Sequence, residues 1–404
     1  MEEPFSKAKP IIDKLIEAGF EAYFVGGSVR DHLLKRPIGD IDIATSALPE
    51  DVQLLFERTI PVGIKHGTVV VLHNDECYEV TTFRIDGDYT DFRRPSEVEF
   101  VTSLREDLSR RDFTINAIAM DIGGKIIDPF EGQKDLENKY IQTVGNPNDR
   151  FLEDPLRIMR AIRFVSQLDF DLSPETQRSI EKHAILLSKI SVERVLVEFE
   201  KLLTGKANNK AVTLVVDLKI NHYLPQLANK TEELKRYAYL CSKQVFTIEE
   251  QWALLIVILS IEDIELFFKQ WKSSNERIKT CKLYLNAIEE LRKSYTLTRY
   301  FVYTYGQEVV NSAIRLFCFI ENKDDNKMLA ELNEIIKMLP ISARKELAIT
   351  GHDLMLWFNK KGGPWLSKMI ENIERAVVNG EVLNNKENIK EWLLTCNPPY
   401  ENNC

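Results

Sequence analysis

The spacing of apolar residues changes about a third of the way along the chain. Ile11, Ile12, Leu15 and Ile16 recur at helical spacing and predict a first helix over residues 10–19. From there to about residue 145 strand signals dominate, in EAYFVGG, DIDIAT, GTVVVLH, CYEVTTFR, IAMDI and KIIDP. Helical runs intervene at SVRDHLLKR and PEDVQLLFER, so this part reads as a mixed α+β head. Beyond residue 150 the helical period takes over, in RFLEDPLRIMRAIRFVSQL, SPETQRSIEKHAILLSK, SVERVLVEFEKLL and many later segments. An all-helical body is expected there. The boundaries predicted are a head over 1–145, a helical neck over 146–205, a helical body over 206–340 and a helical tail over 341–404.

Composition changes this picture little. At 44% hydrophobic and 28% charged, the 404 residues are those of an ordinary soluble globular protein. WALLIVILSI, residues 252–261, is too short to span a bilayer and reads as a buried helix. The first ten residues are polar and carry no signal-peptide pattern. The six cysteines show neither CxxC nor Cys/His metal spacing; free thiols in a reducing cytoplasm are expected, with no membrane partner. The net charge of −9 is the reverse of the basic footprint that phosphate binding leaves, so any nucleic-acid surface must be a local cluster of arginines.

Chemistry first gathers in FVGGSVRDHLLKRPIGDIDIAT, residues 24–45. In a strand, residues i and i+2 share a face, so Asp40 and Asp42 lie side by side while Ile41 and Ile43 point to the core. Adjacent carboxylates repel unless a cation lies between them, and magnesium held by carboxylates and substrate phosphates is a common solution. Glu79, in CYEVTTFR, is the candidate third carboxylate. Upstream, Gly26 and Gly27 permit a tight turn, and Ser28 is placed to cap the helix that follows, whose N-terminal N–H groups suit an anion. Together these features predict a triphosphate site. Neither GxxxxGK[ST] nor GxGxxG occurs, which excludes ordinary P-loop and dinucleotide-binding chemistry.

A second cluster is RFLEDPLRIMRAIRF, residues 150–164, in which Asp154, Arg157, Arg160 and Arg163 fall every third residue. Read as one helix, they form a slowly winding polar stripe. An aspartate accepts hydrogen bonds and an arginine donates them. Cytosine and adenine both present an exocyclic amine beside a ring-nitrogen acceptor, whereas guanine and uracil present the reverse. One Asp154–Arg157 pair can therefore accept C and A and refuse G and U. A mismatched base leaves buried groups unpaired, at about 1–3 kcal/mol each, and sites built this way discriminate by roughly 10⁴-fold. A third cluster, LSRRDFTINAIAMD, places Arg111 to contact the nucleotide and puts Asp112 and Asn116 four apart, on one helix face. In DPFEGQKDL, Asp128, Gly132 and Asp135 are assigned structural roles.

These segments together resemble the class II CCA-adding enzymes, tRNA nucleotidyltransferases related to bacterial poly(A) polymerases and distantly to polymerase β. GGSVRD with GDIDIAT is similar to the family's catalytic motif. RRDFTINAIA, DPFEGQKDL, EDPLRIMRAIRF and SVERV are similar to the four motifs that follow it, in order, and TGHDLMLWFNKKGGPWL (350–366) resembles its tRNA-gripping tail. The resemblance implies a polymerase β-like nucleotidyltransferase head on an all-α body, and template-independent addition of C, C and A to the tRNA 3′ end from CTP and ATP. It implies two Mg2+ ions on Asp40 and Asp42. It also implies nucleotide contacts from Gly27, Arg30 and Arg111, a base-reading EDxxR element of Glu153, Asp154 and Arg157, and Arg160 and Arg163 lining the same pocket. The segment around Asp86–Arg94 corresponds to the family's flexible loop, and a homodimer is the expected assembly.

Three relatives are weighed by their sequence marks. Bacterial poly(A) polymerases carry a basic GRRF-like stretch where this chain has IPVGIKHGTVVVL. CC-adding enzymes lack a complete flexible loop, which RIDGDYTDFRRP supplies here. An A-adding enzyme carries no excluding mark. A silent RNA-binding protein would be expected to lose the aspartates and EDxxR, both of which are present.

Overall fold

The computed structural model describes residues 3–87, 98–241 and 246–396. The flexible loop expected around Asp86–Arg94 falls largely outside them, since 88–97 are not described. Two compact units divide the chain: one comprises residues 1–248 with 265–273, the other 249–264 with 274–404.

The first unit opens with helix α1 (Phe5–Glu17), whose Phe5, Ala8, Ile11, Ile12 and Leu15 are buried at successive spacings of three, three, one and three. Two strands and a helix follow: β1 (Ala22–Val25), α2 (Gly27–Leu33) and β2 (Asp42–Thr45). Next come α3 (Pro49–Leu55), β3 (Thr59–Gly63), β4 (Thr68–His73) and β5 (Glu76–Thr82). Strand β3 was not predicted. It forms the sheet edge, and its exposed Ile60, Pro61 and Val62 lack the alternation by which half-buried strands are recognised.

A short ribbon of β6 (Arg84–Asp86) and β7 (Val98–Phe100) flanks the undescribed segment. Helix α4 (Leu104–Ser109) leads to β8 (Ala119–Met120) and β9 (Ile126–Ile127). The seven-stranded sheet runs β3-β4-β5-β2-β1-β8-β9. Only the β2–β5 pairing within it is parallel; its register sets Asp42 opposite Glu79, while the antiparallel β1–β2 register sets Asp42 opposite Val25. Asp42 thus starts a strand at the centre of the sheet, beside the β1–α2 turn.

Helices then take over, as the period change predicts: α5 (Gly132–Asn138), α6 (Pro147–Glu153), α7 (Leu156–Leu168), α8 (Pro174–His183) and α9 (Val192–Leu203). A two-residue parallel pairing of Tyr140–Ile141 with Asp171–Leu172 is the strand content of this region. Asp128 accepts hydrogen bonds from the Gly132 and Gln133 amides at 2.8 Å, and Asp135 accepts one from the Thr114 hydroxyl at 2.6 Å, so DPFEGQKDL is structural as expected.

The second unit, described by itself, is helical. Trp252, Leu254 and Leu255 of WALLIVILSI are buried in a helix over Ile248–Leu259. Towards the C-terminus Ile341, Leu354, Ile373, Val377, Ile389 and Leu393 form one apolar core. Among the described residues no helix is long and apolar enough to cross a membrane.

Candidate active site

The turn after β1 is made by Gly26, whose φ of 73° lies where side-chain-bearing residues are strained. A Cβ there would stand 3.6 Å from Asp42 Oδ2 and 3.0 Å from Arg111 Nη1, so the glycine leaves room for a carboxylate and a guanidinium to face each other. Ser28 does not cap α2 as expected. Because Gly26 turns the chain two residues earlier, Ser28 lies inside the helix and its hydroxyl donates to the Val25 carbonyl at 3.1 Å.

Asp42 is partly buried, and its carboxyl is pushed up to about 6, first by burial. The Glu79 charge contributes in the same direction, Arg111 opposes, and Asp40 adds a smaller push. Asp40 and Glu79 are themselves exposed and do not line the cleft. Strand β2 begins at Asp42, so Asp40 precedes it rather than riding on it. Among the described residues no three His, Cys, Asp or Glu side chains gather into a metal cage. A partly buried carboxylate pressed by neighbouring acids still fits a divalent cation of the kind that takes one or two protein oxygens and completes its shell with substrate phosphates and water.

Asp112 and Asn116 do not lie on an α-helix. Asp112 accepts its neighbour Phe113's amide at 2.9 Å, Phe113 is extended and bridges to Thr143, and residues 114–116 form a single 3₁₀ turn. The two side chains nevertheless meet. Arg30 Nη1 donates to Asn116 Oδ1 at 2.7 Å, Asn116 Nδ2 to Asp112 Oδ1 at 3.0 Å, and Arg160 Nε to Asp112 Oδ2 at 2.6 Å. This chain of hydrogen bonds runs from α2 to α7. Burial alone would raise the Asp112 carboxyl, but Arg160, Asn116 and Arg157 outweigh it and hold it at about 2.

The predicted stripe also changes at its first member. Proline at 155 bars the helical conformation at the residue before it, so Asp154 is extended and closes α6, and α7 starts two residues later. Its Oδ1 accepts the Leu156 amide at 3.1 Å and its Oδ2 accepts Arg194 Nη2 at 2.7 Å. Arg157 is nearly buried and is gripped by Glu153 at 2.5 Å. Glu153 holds Arg150 as well and does not line the cleft. Arg163 pairs with buried Glu198 of α9 at 2.9 Å. Its guanidinium stands over the Phe164 ring at 4.3 Å, and those of Arg30 and Arg160 lie 5.2 and 5.8 Å from the same ring.

These elements enclose a cleft of about 750 Å³. It is lined by Gly26, Gly27, Arg30, Asp42, Arg111, Asp112, Asn116, Asp154, Arg157, Arg160 and Arg163. The sequence reading missed Arg84, Leu156, Phe164, Gln167 and Lys201, gave no role to Arg110 or Arg194, and placed Asp86, which also lines the cleft, in the flexible loop. Arg194 carried a signal, since it sits in SVERV; Lys201 lies two helical turns further along α9 and carried none. Nine cationic side chains face four carboxylates, so the cleft is strongly positive in a chain whose net charge is −9. Such a surface attracts polyanions.

Residues 22–142 match the family model described as "Poly A polymerase head domain", 169–231 "Probable RNA and SrmB-binding site of polymerase A", and 243–393 the tRNA nucleotidyltransferase domain 2. The chain is 51% identical over 405 residues to the CCA-adding enzyme of Anoxybacillus flavithermus, and 49% identical over 406 residues to that of a Geobacillus species; 100% of each chain is covered in both. The solved Bacillus stearothermophilus CCA-adding enzyme in complex with CTP is 44% identical, covers 100% of both chains and superposes with a TM-score of 0.89. A Thermotoga maritima CCA-adding enzyme complexed with tRNA shares the fold at 21% identity, with a TM-score of 0.63 over 98% of this chain and 96% of that one.

Proposed function

The chain belongs to the CCA-adding enzymes, and from that membership we propose how its cleft adds C, C and A to the 3′ end of tRNA from CTP and ATP. In the reaction the RNA 3′-hydroxyl bonds to the α-phosphorus, and the bond to pyrophosphate breaks. The triphosphate lies along Gly27, Arg30 and Arg111, and the two guanidiniums offset its charge. Asp154 accepts the exocyclic amine of cytosine or adenine, and Arg157 donates to the adjacent ring nitrogen. Arg160 and Arg163, held by Asp112 and Glu198, keep the wall of this reading site in place.

Enzymes of this class depend on a divalent metal. We assign it as Mg2+, held by Asp42 and Asp40, with Glu79 contributing charge from the neighbouring strand. Bound there, the metal would make the RNA hydroxyl more acidic and stabilise the departing pyrophosphate.

The single observation that carries this reading is the position of Asp154. It stands outside α7, held by Arg194 and the Leu156 amide, beside Arg157 in the cleft that Asp42 also lines. The test is incorporation of labelled CTP and ATP on tRNA ending at the discriminator base. Addition of C, C and then A is expected. C without A would indicate a CC-adding enzyme, and A only on tRNA already ending in CC an A-adding one. A long A tail would indicate a poly(A) polymerase, and binding without incorporation a silent RNA-binding protein.

A further inference from the structure

Behind the cleft wall lies a carboxylate that the reaction does not itself need. Asp107 of α4 is 1% exposed and does not line the cleft. Its Oδ1 accepts Arg110 Nε at 3.0 Å and Nη2 at 2.8 Å, and its Oδ2 accepts Arg111 Nη2 at 3.2 Å. The Arg84 amide of β6 also points to Oδ1, at 3.4 Å. Arg84, Arg110 and Arg111 all line the cleft. The far side of the Arg111 guanidinium, Nη1, reaches the Asn116 carbonyl at 3.4 Å and the space above Gly26, facing Asp42.

Adjacent guanidiniums repel and, left free, would turn apart towards solvent. One buried carboxylate between them cancels that repulsion and fixes both planes by directed hydrogen bonds, which for charged groups are short and orienting. Burial disfavours the Asp107 charge, yet Arg110 and Arg111 outweigh it and hold the carboxyl below its usual range, so the anchor stays ionised.

We propose that Asp107 is a positioning residue for the nucleotide triphosphate: it presets Arg110 and Arg111, and through them the phosphate end of the cleft. The inference rests on the reading that this end of the cleft takes the triphosphate. It differs from base reading, which lies on the α6–α7 junction, so its signature is a defect blind to the identity of the base.

The test is steady-state kinetics of Asp107→Asn with CTP and ATP on tRNA primers. KM is expected to rise roughly tenfold or more for both nucleotides alike, as loss of hydrogen bonds to charged groups implies, with kcat much less affected and discrimination against UTP and GTP unchanged. In an Arg111→Ala background the same substitution should raise KM by less than half as much, because one of its clients is already gone. Asp107→Glu, which keeps the charge, should recover part of the loss. A kcat decrease with unchanged KM, a variant that does not fold, or equal effects with and without Arg111 would each assign Asp107 to the core and overturn the proposal. Failure of wild-type protein to add C and A would instead overturn the functional reading itself.

Discussion

Arg194 donates to the outer carboxylate oxygen of Asp154 at 2.7 Å, tying helix α9 to the residue that interrupts α6 and α7. With the inner oxygen taken by the Leu156 amide, Asp154 is held from both sides and presents its remaining lone pairs to the cleft. In the proposed reading, an acceptor fixed in this way would reject a base carbonyl because it cannot rotate away from it. Arg194→Met should therefore lower discrimination against UTP and GTP by about tenfold, the value of one hydrogen bond to a charged group, while addition of C falls less. Asp154→Ala should act in the same direction and more strongly. Competition assays with all four nucleotides read the ratio; equal loss of C, A, G and U would remove both residues from base selection.

Asp42 and Asp40 divide differently between the cleft and solvent. Asp42 lines the cleft and carries the raised carboxyl, whereas Asp40 is exposed. Asp42→Asn should abolish addition of both C and A, by roughly 10³-fold or more, as expected for loss of an electrostatic group at the reacting centre. Binding of tRNA, measured by filter retention, should stay within a few-fold of wild type. Asp40→Ala should also abolish addition while sparing binding; turnover that survives in either variant would take that residue out of the metal site.

The Asp112–Arg160 pair predicts a pH dependence of stability. Asp112 is held at about 2 in the folded protein, below the value of about 3.9 for an unfolded aspartate. A depressed carboxyl contributes stability that is complete above the unfolded value and is lost as pH falls from about 4 towards 2. Its size is on the order of 2 kcal/mol. Urea denaturation of wild type and Asp112→Asn should therefore differ most near neutrality and converge only at about pH 2 and below. A difference independent of pH would mean that the cost of the substitution is steric rather than electrostatic.

How far these features could be read in the sequence depends on range. Strands, helices and the α+β order followed from local periodicity, because period is a property of neighbouring residues. Asp42, Arg111 and Arg157, which line the cleft, were legible as candidates because clustered charged residues stand out against an apolar background. What failed was the local conformation at Asp154, where the effect of Pro155 on its neighbour was visible but was overridden by the regular spacing of the arginines. The 3₁₀ turn after Asp112 was hidden because a bridge to Thr143, thirty residues away, pulls Phe113 out of the helix. Arg84, Arg194 and Lys201 reach the cleft from elements far apart in the chain, and pairing over that range leaves no periodic trace. Edge strand β3 escaped because three successive exposed residues erase the alternation that marks a strand.

Gly26 and Gly27 look equivalent in the sequence, and the structure predicts opposite outcomes for them. Gly26 has φ 73° and ψ −133°, a region only glycine enters freely, and its missing side chain leaves the gap between Arg111 and Asp42. Gly26→Ala should cost about 1–3 kcal/mol in backbone strain and should also push Arg111 Nη1 away from a Cβ that would approach it to 3.0 Å. Both a lower midpoint of thermal unfolding and a raised KM for CTP and ATP are expected. At Gly27 φ is not positive, and a Cβ would meet only Arg30 Nη2 at 3.6 Å, an ordinary contact at the end of a flexible side chain. Gly27→Ala should fold as wild type, leaving any kinetic change attributable to the nucleotide that would lie against it. Thermal unfolding of the two variants side by side checks the contrast; equal destabilisation would show that the β1–α2 turn does not depend on the left-handed geometry of Gly26.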